Sequence, residues 1–317
     1  MNSPTPLDPQ LAAIVEAKRV RGEPRAFEGG IAAARARMKA AAAAAPNRNP
    51  LPAGTRDMMA GPVPVRTYTP PPGGNGAIVV WFHGGGYSLG DLDLFDDAAR
   101  LLCNRLNAVV VAVGYRKAPE HPFPAPFEDA LNATLWVIEH ARELGGSPER
   151  VAVAGESAGG NLAATTAIWL RDRGIPLAGQ LLIVPGVNLA RDLPEDGAYP
   201  MLHAADLANI RDMLMGKGAD VARFPPSPLH AENLANLAPS VIAIAGHDPL
   251  RFEGQAYAYR LKVAGSPVKL LRFEDMHHLF FGFTDVSNAA QHAADTLLGV
   301  FMELLECPQP SRQRSAQ

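Results

Sequence analysis

Cysteine is scarce: Cys103 and Cys307 are the only two in 317 residues. Two thiols are too few for a disulfide framework or a thiolate metal cluster, and they fit a reducing cytosol better than an oxidising compartment. A charge excess of one sign is also missing. Lys and Arg number 29 against 32 Asp and Glu, and the formal net charge of -3 gives no reason to expect nucleic acid or an anionic membrane surface as partner. No apolar run reaches the roughly eighteen residues that a membrane-spanning helix needs. The N-terminal MNSPTPLDPQLAAIVEAKRV has prolines and an early acid where a secretory signal would carry basic residues and then an apolar run. The alanine-rich IAAARARMKAAAAAAP (31–46) lacks large apolar residues, so it reads as a surface or cap helix rather than a membrane sensor. The expectation is a cytoplasmic protein with neither a membrane nor a nucleic acid as partner.

What is present is an ordinary globular composition, 47% hydrophobic and 19% charged, in a chain long enough for one large domain or two modest ones. Residues 1–50 look helical and then proline-broken. Strands are predicted at PVPVRTYTP (62–70), AIVVWFHGG (77–85), AVVVAVGYR (108–116), VAVAG (151–155), QLLIVPGV (180–187), SVIAIAGHD (240–248) and VKLLRFE (268–274). Helical spacing lies between them at 93–107, 126–144 and 161–174, and again at 289–305. Near-continuous Val, Ile and Leu runs alternating with helices indicate an α/β fold with a mostly parallel central sheet covered on both faces. About fifty residues separate the strand at 180 from that at 240, too many for a structureless loop, so this interval is helical or a lid. With residues 1–50 it could cap the carboxyl ends of the strands, where open α/β sheets bind ligands. The tail CPQPSRQRSAQ has the composition of a disordered end.

Two glycine clusters follow strands. Gly155-Glu156-Ser157-Ala158-Gly159 fits G-x-S-x-G, a sharp strand-to-helix turn that thrusts a serine outward and needs small neighbours for room. An ordinary βα turn with a serine near the helix start has the same composition, so the pentapeptide does not decide alone. His83-Gly84-Gly85-Gly86-Tyr87 is the second. A dinucleotide fingerprint starting at Gly84 would need glycine at 89, which is Leu89. What remains is a loop with unhindered backbone N–H groups, as an oxyanion hole requires; the candidate donors are Gly85, Gly86 and Ala158. A serine nucleophile needs a base, and the base an orienting acid, in the chain order Ser, Asp or Glu, His. Asp248 and then the pair His277 and His278 follow Ser157 in that order, each just after a predicted strand.

These blocks, HGGGY, YRKAPEHPFPAPFEDA (115–130), GESAGGNLAA, DPLRFEG and the histidine loop, resemble the hormone-sensitive-lipase family of bacterial esterases on the α/β-hydrolase fold. The resemblance implies Ser157, Asp248 and His278 as triad and Gly85, Gly86 and Ala158 as oxyanion donors. It implies a cap made of residues 1–50 and 188–236 over a catalytic domain of 51–187 and 237–307, followed by a disordered tail at 308–317. It also implies hydrolysis of short- to medium-chain carboxylic esters through an acyl-enzyme, no cofactor, and often a homodimer. Amide or lactone hydrolysis by the same triad is the alternative, and a non-catalytic receptor on this fold is a further one, disfavoured by the presence of His278.

The chain departs from the family at Glu156, where Asp is usual, at Phe252, where an acid is usual, and at Leu279, where Gly is common. Tyr115, Arg116, Glu120 and Phe123 read as structural support, and His83 as an anchor for the oxyanion loop. The remaining histidines show no shared ligand spacing, so no metal is expected. Asp91, Asp93, Asp96 and Asp97 read as a helix-start cluster. Of the adjacent histidines only one can face Ser157 in an extended segment. With the strand ending near Glu274, His277 is expected against the cap or solvent.

Overall fold

The structure, a computed structural model, describes residues 5–44, 48–192 and 199–306. The tail expected to be disordered at 308–317, and Cys307, lie outside them, as do residues 193–198 of the proposed cap interval. Eight strands form one sheet. In chain order they are β1 (Gly54–Ala60), β2 (Val63–Thr69), β3 (Ile78–Phe82), β4 (Val109–Val113), β5 (Val151–Glu156), β6 (Gln180–Ile183), β7 (Ser240–His247) and β8 (Val268–His277). The spatial order is β1-β2-β4-β3-β5-β6-β7-β8; β2 runs antiparallel to both its neighbours and every other pairing is parallel.

The central strands are buried along their whole length, as IVVWF in β3 and VVVAV in β4 show. Their side chains alternate between two cores. Ile78, Val80 and Phe82 of β3 join the core under α4 (Ala125–Glu139), α5 (Ala158–Asp172) and α7 (Arg251–Val263). Val79 and Trp81 join the opposite core under α3 (Asp96–Leu106) and α8 (Asn288–Glu306). In α8 the buried residues Ala290, Ala293, Ala294, Leu297, Leu298, Phe301 and Leu305 fall on one helical stripe, which is why this segment was legible from periodicity.

Three elements differ from expectation. No element is predicted over β1; its residues GTRDMMA are mostly exposed, and an edge strand without an apolar face carries no period-two signal. α7 was not assigned, because the buried face of RFEGQAYAYRLKV includes Glu253 and Gly254 beside Tyr257, Ala258 and Leu261. β8 continues three residues past Glu274 to His277. Its register against β7 breaks between Ala245, opposite Phe273, and His247, opposite His277, so Glu274, Asp275 and Met276 stand against Gly246 alone. A Cβ at Gly246 would lie 2.1 Å from Glu274 O, so the bulge closes only over a glycine.

The N-terminal helices α1 (Pro9–Val20) and α2 (Gly30–Ala44) are pinned from far along the chain. Asp8 caps α1 by accepting from Gln10 N and Leu11 N at 3.1 Å, while Asp8 N donates to Asp275 O at 2.9 Å and Ser287 Oγ donates to Asp8 Oδ1 at 2.9 Å. On α2, Arg35 donates to Ser88 O at 2.9 Å and Ala118 O at 3.1 Å and pairs with Glu120. Ile31 and Met38 of α2 and Ile210 and Met213 of α6 (Ala204–Met215) pack against one cluster of Phe27, Ala34 and Leu89, and Phe27 N donates to Asp206 Oδ1 at 3.3 Å.

Candidate active site

β5 ends at Glu156 and α5 starts at Ala158, so Ser157 alone makes the turn, with φ 55 and ψ -115. A serine in that region is strained, and persists only where its surroundings over-determine it. Here Ser157 N donates to Ile183 O at 2.9 Å, and Ser157 O accepts from Gly186 N at 3.0 Å. The glycines around it are steric requirements. A Cβ at Gly155 would lie 2.1 Å from Gly159 O, and one at Gly159 would lie 1.9 Å from Phe82 O. α5 therefore presses backbone to backbone against the end of β3, beside the second glycine cluster.

That cluster is held from below. The His83 ring is stacked between Phe95 and Tyr115, with centroids 4.9 and 4.4 Å away, and its Nδ1–H donates to Gly84 O at 2.7 Å. Tyr115 OH donates to His83 O at 2.9 Å. Burial pushes the His83 imidazole down to about 4, so it stays neutral, and its stacking and its bond to Gly84 O anchor the loop. Gly85 and Gly86 take φ of 109 and 61, a region open to glycine. No described residue accepts a hydrogen bond from the amides of Gly85, Gly86 or Ala158. Arg116 pairs with Asp129 at 2.8 Å, Glu120 with Arg35, and Phe123 packs edge-on against Phe127, all consistent with structural support.

Asp248 and His278 follow directly on the carboxyl ends of β7 and β8. Asp248 is wholly buried; its Oδ1 accepts from Leu250 N at 2.9 Å, and its Oδ2 meets His278 Nδ1 at 2.9 Å. His278 Nε2 meets Ser157 Oγ at 2.9 Å. Three side chains from positions 157, 248 and 278 thus form one hydrogen-bonded chain. With Nδ1 donating to the carboxylate, Nε2 keeps its lone pair toward the serine. Burial disfavours the imidazolium, yet the facing Asp248 carboxylate, with a contribution from Glu156, raises the His278 pKa above its ordinary value.

Glu156 is buried behind the serine, and desolvation pushes its carboxyl up to about 7 against the opposing pull of His278. Sequence reasoning marked it only as a family departure. Phe252 is 61% exposed on α7 beneath the Arg251 guanidinium, so it does not shape the space over Ser157. Ile210 of α6 lies against the second glycine cluster, where a Cβ on Gly86 would lie 2.5 Å from its Cγ1. Of the two places expected for His277, solvent is excluded: the side chain is completely buried, and β8 runs on through it. Asp96 and Asp97 do start α3, with Asp96 accepting from Tyr68 OH at 2.7 Å. Among the described residues no group of His, Cys, Asp and Glu side chains is placed to hold a metal ion, and no helix is long and apolar enough to cross a membrane.

Residues 79–282 match a family model described as alpha/beta hydrolase fold. The chain is 42% identical to the esterase LipI of Mycobacterium tuberculosis over 249 residues, covering 75% of this chain and 77% of that one. It is 36% identical to the carboxylic ester hydrolase LipN of the same organism over 308 residues, covering 92% and 81%. Among solved structures, a hyperthermophilic esterase from the archaeon Pyrobaculum calidifontis superposes with a TM-score of 0.88 at 34% identity, covering 95% of this chain and 99% of that one.

Proposed function

We propose the chemistry that follows from one premise: the chain belongs to the hormone-sensitive-lipase family of esterases on the α/β-hydrolase fold. It is a carboxylic ester hydrolase. In the proposed mechanism Ser157 Oγ attacks the ester carbonyl while His278 Nε2 takes its proton. The proton then goes to the leaving alkoxide, and an acyl-enzyme remains. Water attacks that acyl group by the same route, returning the proton to Ser157. Asp248 holds the imidazole in the required tautomer and stabilises its cation. The amides of Gly85, Gly86 and Ala158 receive the negative charge that grows on the carbonyl oxygen.

The observation that carries this reading is the unbroken relay, 2.9 Å from Ser157 Oγ to His278 Nε2 and 2.9 Å from His278 Nδ1 to Asp248 Oδ2. Ser157→Ala tests it on an activated ester such as p-nitrophenyl butyrate. Turnover is expected to fall about 10⁶-fold with the fold intact, and a serine-directed organophosphate should label Ser157 alone. A variant retaining a tenth of wild-type activity would sink the assignment.

The described parts of residues 1–50 and 188–236 act as the cap in this reading. Its support is the Arg35 clamp on Ser88 and Ala118 and the contact of Ile210 with the oxyanion loop. A pocket roofed that closely is bounded in depth and favours acyl chains of roughly two to eight carbons. A rate that climbs steadily through about sixteen carbons would contradict it.

A homodimer and a cytoplasmic location complete the proposal. β8 ends the sheet, and the neighbouring α7 exposes Phe252, Tyr259 and Val263 at 61, 68 and 69%. Their spacing puts them on one helical face. Sedimentation velocity that finds only monomer at assay concentrations removes the dimer. The location rests on cysteine use, with Cys103 buried and free, and cell fractionation checks it.

A further inference from the structure

Residue 277 looks like a poor place for a histidine. The side chain is fully buried, with its ring edge-to-face with Phe283 at 5.3 Å. Its Nδ1 accepts a hydrogen bond from Leu279 N at 3.2 Å, so the ring proton sits on Nε2. That Nε2 has no hydrogen-bond partner among the described residues. An apolar side chain would fill the space without stranding a donor. The one thing imidazole does there that leucine or phenylalanine cannot is accept from Leu279 N.

That bond spans the proposed base. His277 is the last residue of β8, anchored by its pairing with His247, and Leu279 is the residue after His278. Leu279 is also held from its other side, since its carbonyl accepts from Gly282 N at 3.0 Å. The peptide carrying the His278 ring is therefore fixed at its strand end by the sheet and at its loop end by the His277 ring. Nothing in Asp248 or Ser157 controls the backbone at this point; they restrain only the ring.

We infer that His277 is a positioning residue, whose ring nitrogen staples the Leu279 amide and so sets the turn that aims His278 at Ser157. The inference rests on His278 being the base. A small misplacement of a base is enough to lower the chemical step about 10²-fold.

The experiment compares His277→Asn, His277→Leu and His277→Ala on an activated ester, with circular dichroism melts to set a temperature at which every variant is folded. The asparagine Oδ1 reaches the N–H two residues on, as in an Asx turn, so it restores the acceptor without the ring. Leucine restores the volume without the acceptor. His277→Leu and His277→Ala are expected to lose about 10- to 100-fold in kcat with KM nearly unchanged, and His277→Asn to recover to within about threefold of wild type. The far-downfield proton resonance of the His278–Asp248 hydrogen bond should persist in His277→Asn and move or broaden in His277→Leu. This second readout serves even if His277→Ala does not fold. A His277→Leu enzyme with wild-type kcat and an unmoved resonance overturns the inference, as does His277→Asn no better than His277→Leu. His278→Ala runs alongside: if it keeps activity, the base assignment fails and this inference with it. If it is inactive while His277→Leu is normal, the positioning role alone fails.

Discussion

A single methyl group added at two glycines separates the steric argument for the elbow from a general intolerance of substitution. Gly159→Ala places a Cβ 1.9 Å from Phe82 O, 2.5 Å from Phe82 C and 2.6 Å from His83 O, all of them backbone atoms that cannot rotate away. Real Cβ contacts essentially never fall below 3.0 Å, so α5 must move off β3 by more than 1 Å. That movement separates the Ala158 amide and Ser157 from Gly85 and Gly86, and a shift of about 1 Å in a catalytic constellation costs about 10²-fold in rate. Gly299→Ala is the matched control. Nothing lies within 4 Å of the added Cβ, the residue is inside α8, and its φ is not positive. Alanine there improves helix propensity by about 0.5–1 kcal/mol. Spread over the unfolding entropy of a 317-residue chain, that raises Tm by about 1 °C. The assay is kcat on a short-chain activated ester, with a thermal melt of each variant. Gly159→Ala with kcat within about twofold of wild type would mean that the elbow is not held by backbone contact.

Activity is expected to fall on the acid side with a midpoint above the ordinary histidine pKa of 6.5, since Asp248 and Glu156 favour the His278 cation and a protonated Nε2 cannot accept the serine proton. Glu156→Gln removes one of those carboxylates, so the acid limb of kcat/KM should move to lower pH; an unmoved or raised midpoint refutes the coupling. Glu253 and Arg191 form a buried pair, at 2.8 Å for Arg191 Nη2 to Glu253 Oε1, and Asn188 N donates to the same oxygen at 3.0 Å. Glu253→Gln strands the guanidinium charge and should cost about 3–5 kcal/mol in urea unfolding, whereas replacing both partners with Met should recover most of it. Equal losses in the single and double variants would show that the pair is not coupled.

The chain revealed its centre better than its rim. β3, β4 and β5 are buried on both faces, so their apolar runs are unbroken and carry their own signal. That Ser157, Asp248 and His278 come together was legible because each stands at a strand end in a fixed chain order. β1 was not, since Thr55, Arg56 and Asp57 face water and nothing in their order distinguishes an edge strand from coil. The end of β8 was misjudged for a related reason. The bulge opposite Gly246 breaks the alternation at Glu274 and Asp275, and the strand resumes through Met276 and His277 only because the partner strand supplies a glycine. Long-range pairing decides that, and a single strand's pattern does not contain it. The same error hid the burial of His277 and with it the bond to Leu279.

The attachments of α1 also set an order of events during synthesis. Asp8 leaves the ribosome early, yet the two groups that hold it, Asp275 O and Ser287 Oγ, follow much later, the second after 279 residues. At about 5–20 residues per second that interval is roughly 15–55 s. For its whole length the helix that carries Leu11, wholly buried in the finished protein, lacks both groups that fix its cap. Limited proteolysis of stalled nascent chains should cut α1 freely until residue 287 has emerged; protection before that point contradicts the order. α1 is thus made long before it can be seated, and the emerging enzyme carries it unseated, for a chaperone to hold, until β8 and α8 arrive.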